Sequence, residues 1–137
     1  MECVLDGSAA LAWALPDESS RAAEGLLERL SPGDVFWVPA LWWYEIANAL
    51  LSAERRGRLP EAAALRAFEF YGRLPLRVDE VPDAVSAARC HALAREHRLS
   101  AYDASYLELA GRRGIALASL DKRLRFAAGK AGVEIRH

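Results

Sequence analysis

Short apolar runs that alternate with helical stretches constrain this chain more than any other feature. The first run, Glu2 to Leu5, passes through Asp6-Gly7-Ser8 into an apolar helical stretch, Ala9 to Leu15, which Pro16 closes. The pattern then recurs. Val35 to Val38 precedes a long helix from Leu41 to Arg56, Leu76-Arg77-Val78 is a weak strand, and Ile115 to Ser119 is the clearest late one. Runs this short and this apolar, separated by helices, suit parallel strands covered on both faces. The expectation is an α/β fold, a three-layer α/β/α sandwich around a central, mainly parallel sheet. At 137 residues the chain has the size of a single domain, 1-137, large enough to enclose such a core.

Turn chemistry marks the remaining elements. Asp17-Glu18-Ser19 starts a second helix with leucines at 26, 27 and 30, ended by Ser31-Pro32-Gly33-Asp34. Gly57 stops the long helix, and Pro60 opens another that runs to Tyr71. Further helices are expected over Asp83 to His97, Ser100 to Arg113 and Asp121 to Ala128, with Val133-Glu134-Ile135 as a final edge strand. Ligands of such folds bind beyond the carboxyl ends of the strands, where connections diverge. Asp6 and Asp121 fall just past two of those ends.

Composition narrows the classes. With 53% hydrophobic and 27% charged residues, and no low-complexity segment, the chain has none of the character of a disordered one. The net charge of −1 conceals an asymmetry, because Arg112, Arg113, Lys122, Arg123, Arg125 and Lys130 cluster against the single acid Asp121. Such a patch attracts phosphates, although all but two of the eighteen basic residues are arginine and a general compositional bias gives the same preference. Cys3 and Cys90 lack ligand spacing, so they read as reduced thiols rather than a disulfide or zinc site. The apolar run from Val35 to Tyr44 is too short to span a bilayer and is interrupted by Pro39, and the start has no basic leader region. Cytoplasmic residence, with no membrane partner, is the resulting expectation.

Four acids carry the chemistry. Glu45 lies in Leu41-Trp42-Trp43-Tyr44-Glu45-Ile46-Ala47-Asn48-Ala49-Leu50-Leu51, where nearly everything else is apolar, and a carboxylate in such surroundings needs a cation, either a metal or an arginine. Asn48 and Ser52 share its helix face. Asp6 or Ser8 is placed to cap the first helix and Asp121 the last, and Ser100-Ala101-Tyr102-Asp103 matches a capping box, so each aspartate also has a purely local explanation. His91 and His97 are six apart in one helix and His137 ends the chain, which gives neither a zinc pair nor a catalytic triad.

These residues fall in segments that resemble the PIN-domain family, in particular the toxin ribonucleases of VapBC-type toxin–antitoxin pairs. Val4-Leu5-Asp6-Gly7-Ser8-Ala9 is similar to that family's first strand and aspartate. Val38-Pro39-Ala40-Leu41 through Glu45-Ile46-Ala47-Asn48-Ala49-Leu50 is similar to its glutamate helix. Ser100-Ala101-Tyr102-Asp103-Ala104-Ser105-Tyr106-Leu107 and Leu117-Ala118-Ser119-Leu120-Asp121-Lys122-Arg123-Leu124 resemble its third and fourth motifs. Two positions depart from the pattern: Gly7, where a side chain is more usual, and Ser119, where threonine is common. Neither removes a carboxylate, though Gly7 bears on how firmly the turn aims Asp6.

The resemblance implies an endoribonuclease dependent on Mg²⁺ or Mn²⁺. Asp6, Glu45 and Asp103 would be the main ligands, with Asp121 completing the site directly or through water. Ser8, Asn48 and Ser119 would orient the ligands or the substrate, with local backbone capping as the alternative for Ser8 and Ser119. Lys122 and Arg123, beside Asp121, are candidates to hold flanking RNA phosphates. The resemblance also implies a homodimer and a small antitoxin protein whose C-terminal segment covers the active site. Trp13, Trp37, Trp42, Trp43 and Tyr44 are mostly core in this reading, and any exposed subset marks a protein interface. The rival readings are a PIN-fold module that binds RNA without cutting it and an acidic-pocket signalling module. The latter calls for a late lysine after a strand, and an aspartyl phosphohydrolase for a second aspartate at position 8.

Overall fold

The computed structural model describes residues 1–80 and 83–136. Four strands, β1 (Glu2–Leu5), β2 (Val35–Pro39), β3 (Leu76–Asp79) and β4 (Ala116–Ala118), form one sheet in the order β3-β2-β1-β4, and every pairing is parallel. The helices are α1 (Gly7–Ala14), α2 (Arg21–Glu28), α3 (Trp42–Arg55), α4 (Glu61–Gly72), α5 (Ala84–His97), α6 (Ala101–Arg113) and α7 (Lys122–Lys130). They make the three-layer α/β/α arrangement expected from the alternating pattern. Contacts join α1 to α2, α3 and α4, while α6 lies on β1, β2 and β4 with α5 and α7 packed against it.

The central strand explains why the runs are so apolar. Cys3, Val4 and Leu5 are all fully buried, since a parallel strand with helices on both faces has no solvent side. One helical layer is tied together by aromatic groups. Tyr71 Oη donates to the Ala10 carbonyl at 2.7 Å, linking α4 to α1, and Trp42 stands edge-on to Tyr71 with centroids 5.6 Å apart. Trp13 Nε1 reaches the Ala23 carbonyl at 2.7 Å and fixes α2. Of the aromatic set around the glutamate helix, Trp42 is fully buried and Tyr44 is 79% exposed.

Most element ends shift by one or two residues from the sequence reading, and two segments differ in kind. The segment starting at Asp17 is a single 3-10 turn, Pro16–Glu18, and α2 begins later because Ser20 supplies the cap, accepting from Ala23 N–H at 3.4 Å. The C-terminal segment is no strand but one isolated parallel bridge, Leu117 to Ile135, held by hydrogen bonds of 2.8 Å on either side of Leu117. β4 has only three residues and so offers little ladder to extend.

The basic cluster divides. Arg112 forks onto Asp79 and also binds Glu108, while Arg113 reaches Asp79 at 3.1 Å and lies 3.4 Å from the Trp37 ring centroid. Those two arginines bolt α6 to the end of β3 and are not free for phosphate. Lys122, Arg123 and Lys130 remain at the exposed surface of α7.

Candidate active site

Strand order determines where the acids meet. Chain order runs β1 to β2 to β3 in one direction, then crosses back to place β4 on the other side of β1, which opens a crevice beyond the carboxyl ends of β1 and β4. Leu5 pairs with Ala118, so Asp6 and Ser119 are neighbours just past the paired ends, and Asp6 N–H donates to the Ala118 carbonyl at 3.0 Å.

The four acids share one further property: each stands at a helix N-terminus. Asp6 occupies the cap position of α1 and Asp121 that of α7, while Glu45 and Asp103 lie in the first turns of α3 and α6. α1, α3 and α7 follow strands and α6 runs back toward β4, so all four positive helix ends face the carboxyl edge of the sheet. Helix dipoles there offset part of the cost of gathering negative charge, typically about 0.3–1 kcal/mol per carboxylate.

Asp6 is 7% exposed and does not cap its helix with its side chain. Its Oδ2 instead accepts from both Ser8 Oγ and Ser119 Oγ, at 2.7 Å each. Those hydroxyls are fixed in turn, because Ser8 Oγ accepts from Leu120 N–H at 2.9 Å and Ser119 Oγ from Asp121 N–H at 3.1 Å. The two serines thus position Asp6 rather than merely capping backbone, and they do so despite the bare Gly7 between Asp6 and Ser8. Glu45 is half-buried, and its Oε1 accepts from the buried Tyr106 hydroxyl at 2.5 Å. Among the described residues no cation pairs with Glu45, which disposes of the arginine explanation. Asp121 does cap α7, through Oδ1 and Leu124 N–H at 2.9 Å. Asp103 sits in the expected capping box, its N–H donating to Ser100 Oγ at 3.0 Å.

A pattern follows. Asp6, Glu45 and Asp121 are each held by one carboxylate oxygen, and no hydrogen bond from a described residue reaches the other. Burial raises the Asp6 carboxyl above the usual range, the two serines oppose that, and the charges of Asp103 and Asp121 add to it. Glu45 is also raised, first by burial and then by Asp6 and Asp103, against the pull of Tyr106. Asp103 is raised by burial and by Asp121. The acids therefore sense one another across a shared space. As the side chains stand, no three His, Cys, Asp or Glu among the described residues converge as a finished metal cage. Hard cations nevertheless suit this donor set, since it is all oxygen and Mg²⁺ keeps several waters while taking one or two carboxylates directly.

Tyr106 was not a candidate in the sequence. Its position three residues after Asp103, on the same face of α6, is the signal that was available. Asn48 is exposed on α3, Lys122 and Arg123 are exposed on α7, and Arg123 donates to the Arg98 carbonyl at 2.8 Å. His91 and His97 belong to no group of three or more His, Cys, Asp or Glu side chains placed to hold a metal among the described residues, and His137 lies outside them.

Comparison with known proteins decides the family, because residues 3–130 match the PIN domain model. The chain belongs to the PIN domain family. A curated relative, Ribonuclease VapC3 of Pyrobaculum aerophilum, is 33% identical over 90% of this chain and 92% of its own length. The crystal structure of PAE2754 from the same organism superposes with a TM-score of 0.70 at 28% identity, covering 93% of this chain and 84% of that one. A toxin–antitoxin complex from Klebsiella pneumoniae gives 0.64 at 19% identity, with 98% of each chain covered, and at that identity it shows the shared PIN fold.

Proposed function

We propose that this PIN domain is a divalent-metal-dependent endoribonuclease, the toxin component of a type II toxin–antitoxin pair. The observation that carries the chemistry is the set of four carboxylates at converging helix N-termini, three of which, Asp6, Glu45 and Asp121, are fixed through one oxygen with the other left open. The likeness to Ribonuclease VapC3 along nearly its whole length supports RNA as the substrate. The fold shared with a toxin–antitoxin complex supports an antitoxin partner. A homodimer is part of the same proposal and rests on the family resemblance alone.

A phosphodiester resists hydrolysis because water must attack an anion and the leaving alkoxide is poor. Mg²⁺ or Mn²⁺ bound here would supply the positive charge that lowers the pKa of the attacking water and stabilises the leaving oxygen. Asp6, Glu45 and Asp103 would hold it, with Asp121 completing the site directly or through water. Ser8 and Ser119 keep Asp6 in one orientation, and Tyr106 does the same for Glu45, so the open oxygens are aimed before any cation arrives. Asn48 would orient substrate from the rim. Lys122 and Arg123, beside Asp121, would hold phosphates flanking the cut and so position the strand without reading its sequence.

The test is cleavage of a mixed RNA by wild type, Asp6→Asn and Asp103→Asn, with Mn²⁺ or with EDTA. Cleavage by wild type alone, abolished by EDTA, is expected. Cleavage in EDTA, or full activity in both variants, refutes the proposal. Specific RNA binding without any cleavage would favour the non-catalytic reading instead.

A further inference from the structure

The exposed face of α7 leads away from the acids and is chemically unusual. It begins at Asp121 and carries Lys122, Arg123, Phe126 and Lys130, all exposed. Phe126 is 69% exposed, and Lys130 Nζ lies 5.4 Å from its ring centroid. Opposite this face α5 ends, and a groove of about 370 Å³ opens between Phe126 and Lys130 on one side and His97 and Arg98 on the other.

Arg98 supplies a second, independent observation. It ends α5 in the left-handed conformation, with φ at 55°, where glycine or asparagine is the easier residue. It is the single non-glycine residue with positive φ among the described residues. Its guanidinium makes no hydrogen bond or ion pair with any described residue, while its carbonyl is pinned by Arg123. A strained arginine with a free head beside an open groove is poised to meet an anion. The one opposing charge lining the groove is Glu96, which is 71% exposed and 3.8 Å from His97.

The groove is walled by elements that also lead to the acids, since α7 starts from Asp121 and α5 ends at the turn into α6, which carries Asp103. Arg98 precedes Asp103 by five residues across the turn between α5 and α6, and the Arg123 charge acts directly on the Asp103 carboxyl. Phe126 stands five residues beyond Asp121, about 7.5 Å along the helix axis. That separation suits a nucleotide adjacent to one held at the acids.

We propose that this groove is a subsite for an unpaired nucleotide flanking the cleaved bond, with the base stacked on Phe126 and the adjoining phosphates held by Arg98 and Lys130. The proposal rests on the ribonuclease reading and specifies its substrate as single-stranded at this position. An exposed aromatic ring edged by cations is the surface that binds single-stranded nucleic acid. A protein-docking face would surround Phe126 with further apolar side chains instead.

The test is anisotropy of a fluorescein-labelled 12-nucleotide single-stranded RNA, measured with Mn²⁺ on the Asp6→Asn background to stop cleavage, alongside cleavage kinetics in the otherwise wild-type protein. Phe126→Ala should weaken binding roughly 5- to 30-fold, Phe126→Tyr should restore it, and the loss in turnover should fall on KM more than kcat. Arg98→Gly should weaken binding and lower the salt slope by roughly 0.7, with no fall in melting temperature because glycine suits the left-handed turn. Unchanged affinity in Phe126→Ala and Arg98→Gly, with an active wild type, overturns the subsite. A change of oligomeric mass in Phe126→Ala at unchanged RNA affinity also overturns it and makes the face an interface between copies. A wild type that neither binds nor cleaves RNA overturns the ribonuclease reading itself.

Discussion

Tyr106→Phe probes the one side-chain hydrogen bond to Glu45 among the described residues, and its consequences are separable. The substitution keeps the ring and so preserves the packing of a fully buried residue, removing only the hydroxyl that donates to Glu45 Oε1 at 2.5 Å. A hydrogen bond to a charged group is worth about 1.5–3 kcal/mol, and Glu45 is half-exposed, so water replaces part of the loss and about 1 kcal/mol should remain. For a chain of this size that corresponds to a fall in Tm of about 3–5 °C. The Tyr106 hydroxyl opposes the upward push on the Glu45 carboxyl, so its removal moves that pKa further up. The acid limb of the cleavage pH profile should therefore shift to higher pH, because Glu45 must be ionised to hold a cation. Thermal unfolding, the pH–rate profile and a double-mutant cycle with Glu45→Gln measure the three effects. A coupling energy under about 0.3 kcal/mol together with an unmoved acid limb would refute the assignment of Tyr106 as the residue that positions Glu45.

Three other outcomes follow from the same geometry. Asp6, Glu45 and Asp103 have raised carboxyl pKa values, so ionising them costs stability as pH rises through their folded values. The metal-free protein should melt higher at pH 5 than at pH 7, millimolar Mn²⁺ should raise Tm more at pH 7 than at pH 5, and a steady fall in Tm from pH 7 to 5 would contradict this. Below about pH 4 the trend should reverse, as Asp79, held low by Arg112 and Arg113 against its burial, becomes protonated and its stabilising pairs are lost. Asp79→Ala removes the 7%-exposed carboxylate shared by Arg112 and Arg113, leaving Arg112 its Glu108 pair, and should cost about 2 kcal/mol by denaturant unfolding; a loss under 1 kcal/mol would show that the network is ornamental. Gly7→Ala should be neutral or stabilising by about 0.5 kcal/mol with activity retained, since an added Cβ meets Ile46 Cδ1 at an ordinary 3.9 Å; lost activity would mean that Asp6 depends on the bare turn after all.

Much of this was legible in the residues. Apolar runs bounded by Gly, Pro and Asp located β1, β2 and β4, because a parallel strand buried on both faces leaves no polar alternation to confuse the pattern, while β3, with Arg77 exposed, showed only as a weak strand. Asp6 and Asp121 were legible by position past strand ends and Glu45 by isolation in an apolar helix, whereas Asp103, in a capping box, rested on the family resemblance. Long-range partnership was not. Nothing local in Ser119 says that it shares Asp6 with Ser8, since that contact exists only once β4 is laid beside β1 in register. Tyr106 reads as an ordinary core aromatic until α6 is laid on the sheet and its hydroxyl reaches Glu45 of α3. The charge cluster misled for the same reason: Arg112 and Arg113 are as basic as Arg123 in sequence, yet Asp79 lies more than thirty residues away and takes them both. The short C-terminal bridge was overcalled as a strand because propensity cannot see that β4 ends after three residues.

Calorimetric titration of Mn²⁺ into the metal-free protein tests the central claim most directly, because it asks whether the four carboxylates act as one cation site. Wild type should bind, and Asp6→Asn, Glu45→Gln and Asp103→Asn should each lose at least about tenfold in affinity while remaining folded. Equal Mn²⁺ affinity in all three folded variants would show that the carboxylates gathered at these helix ends do not hold the metal, and the site as described would be wrong.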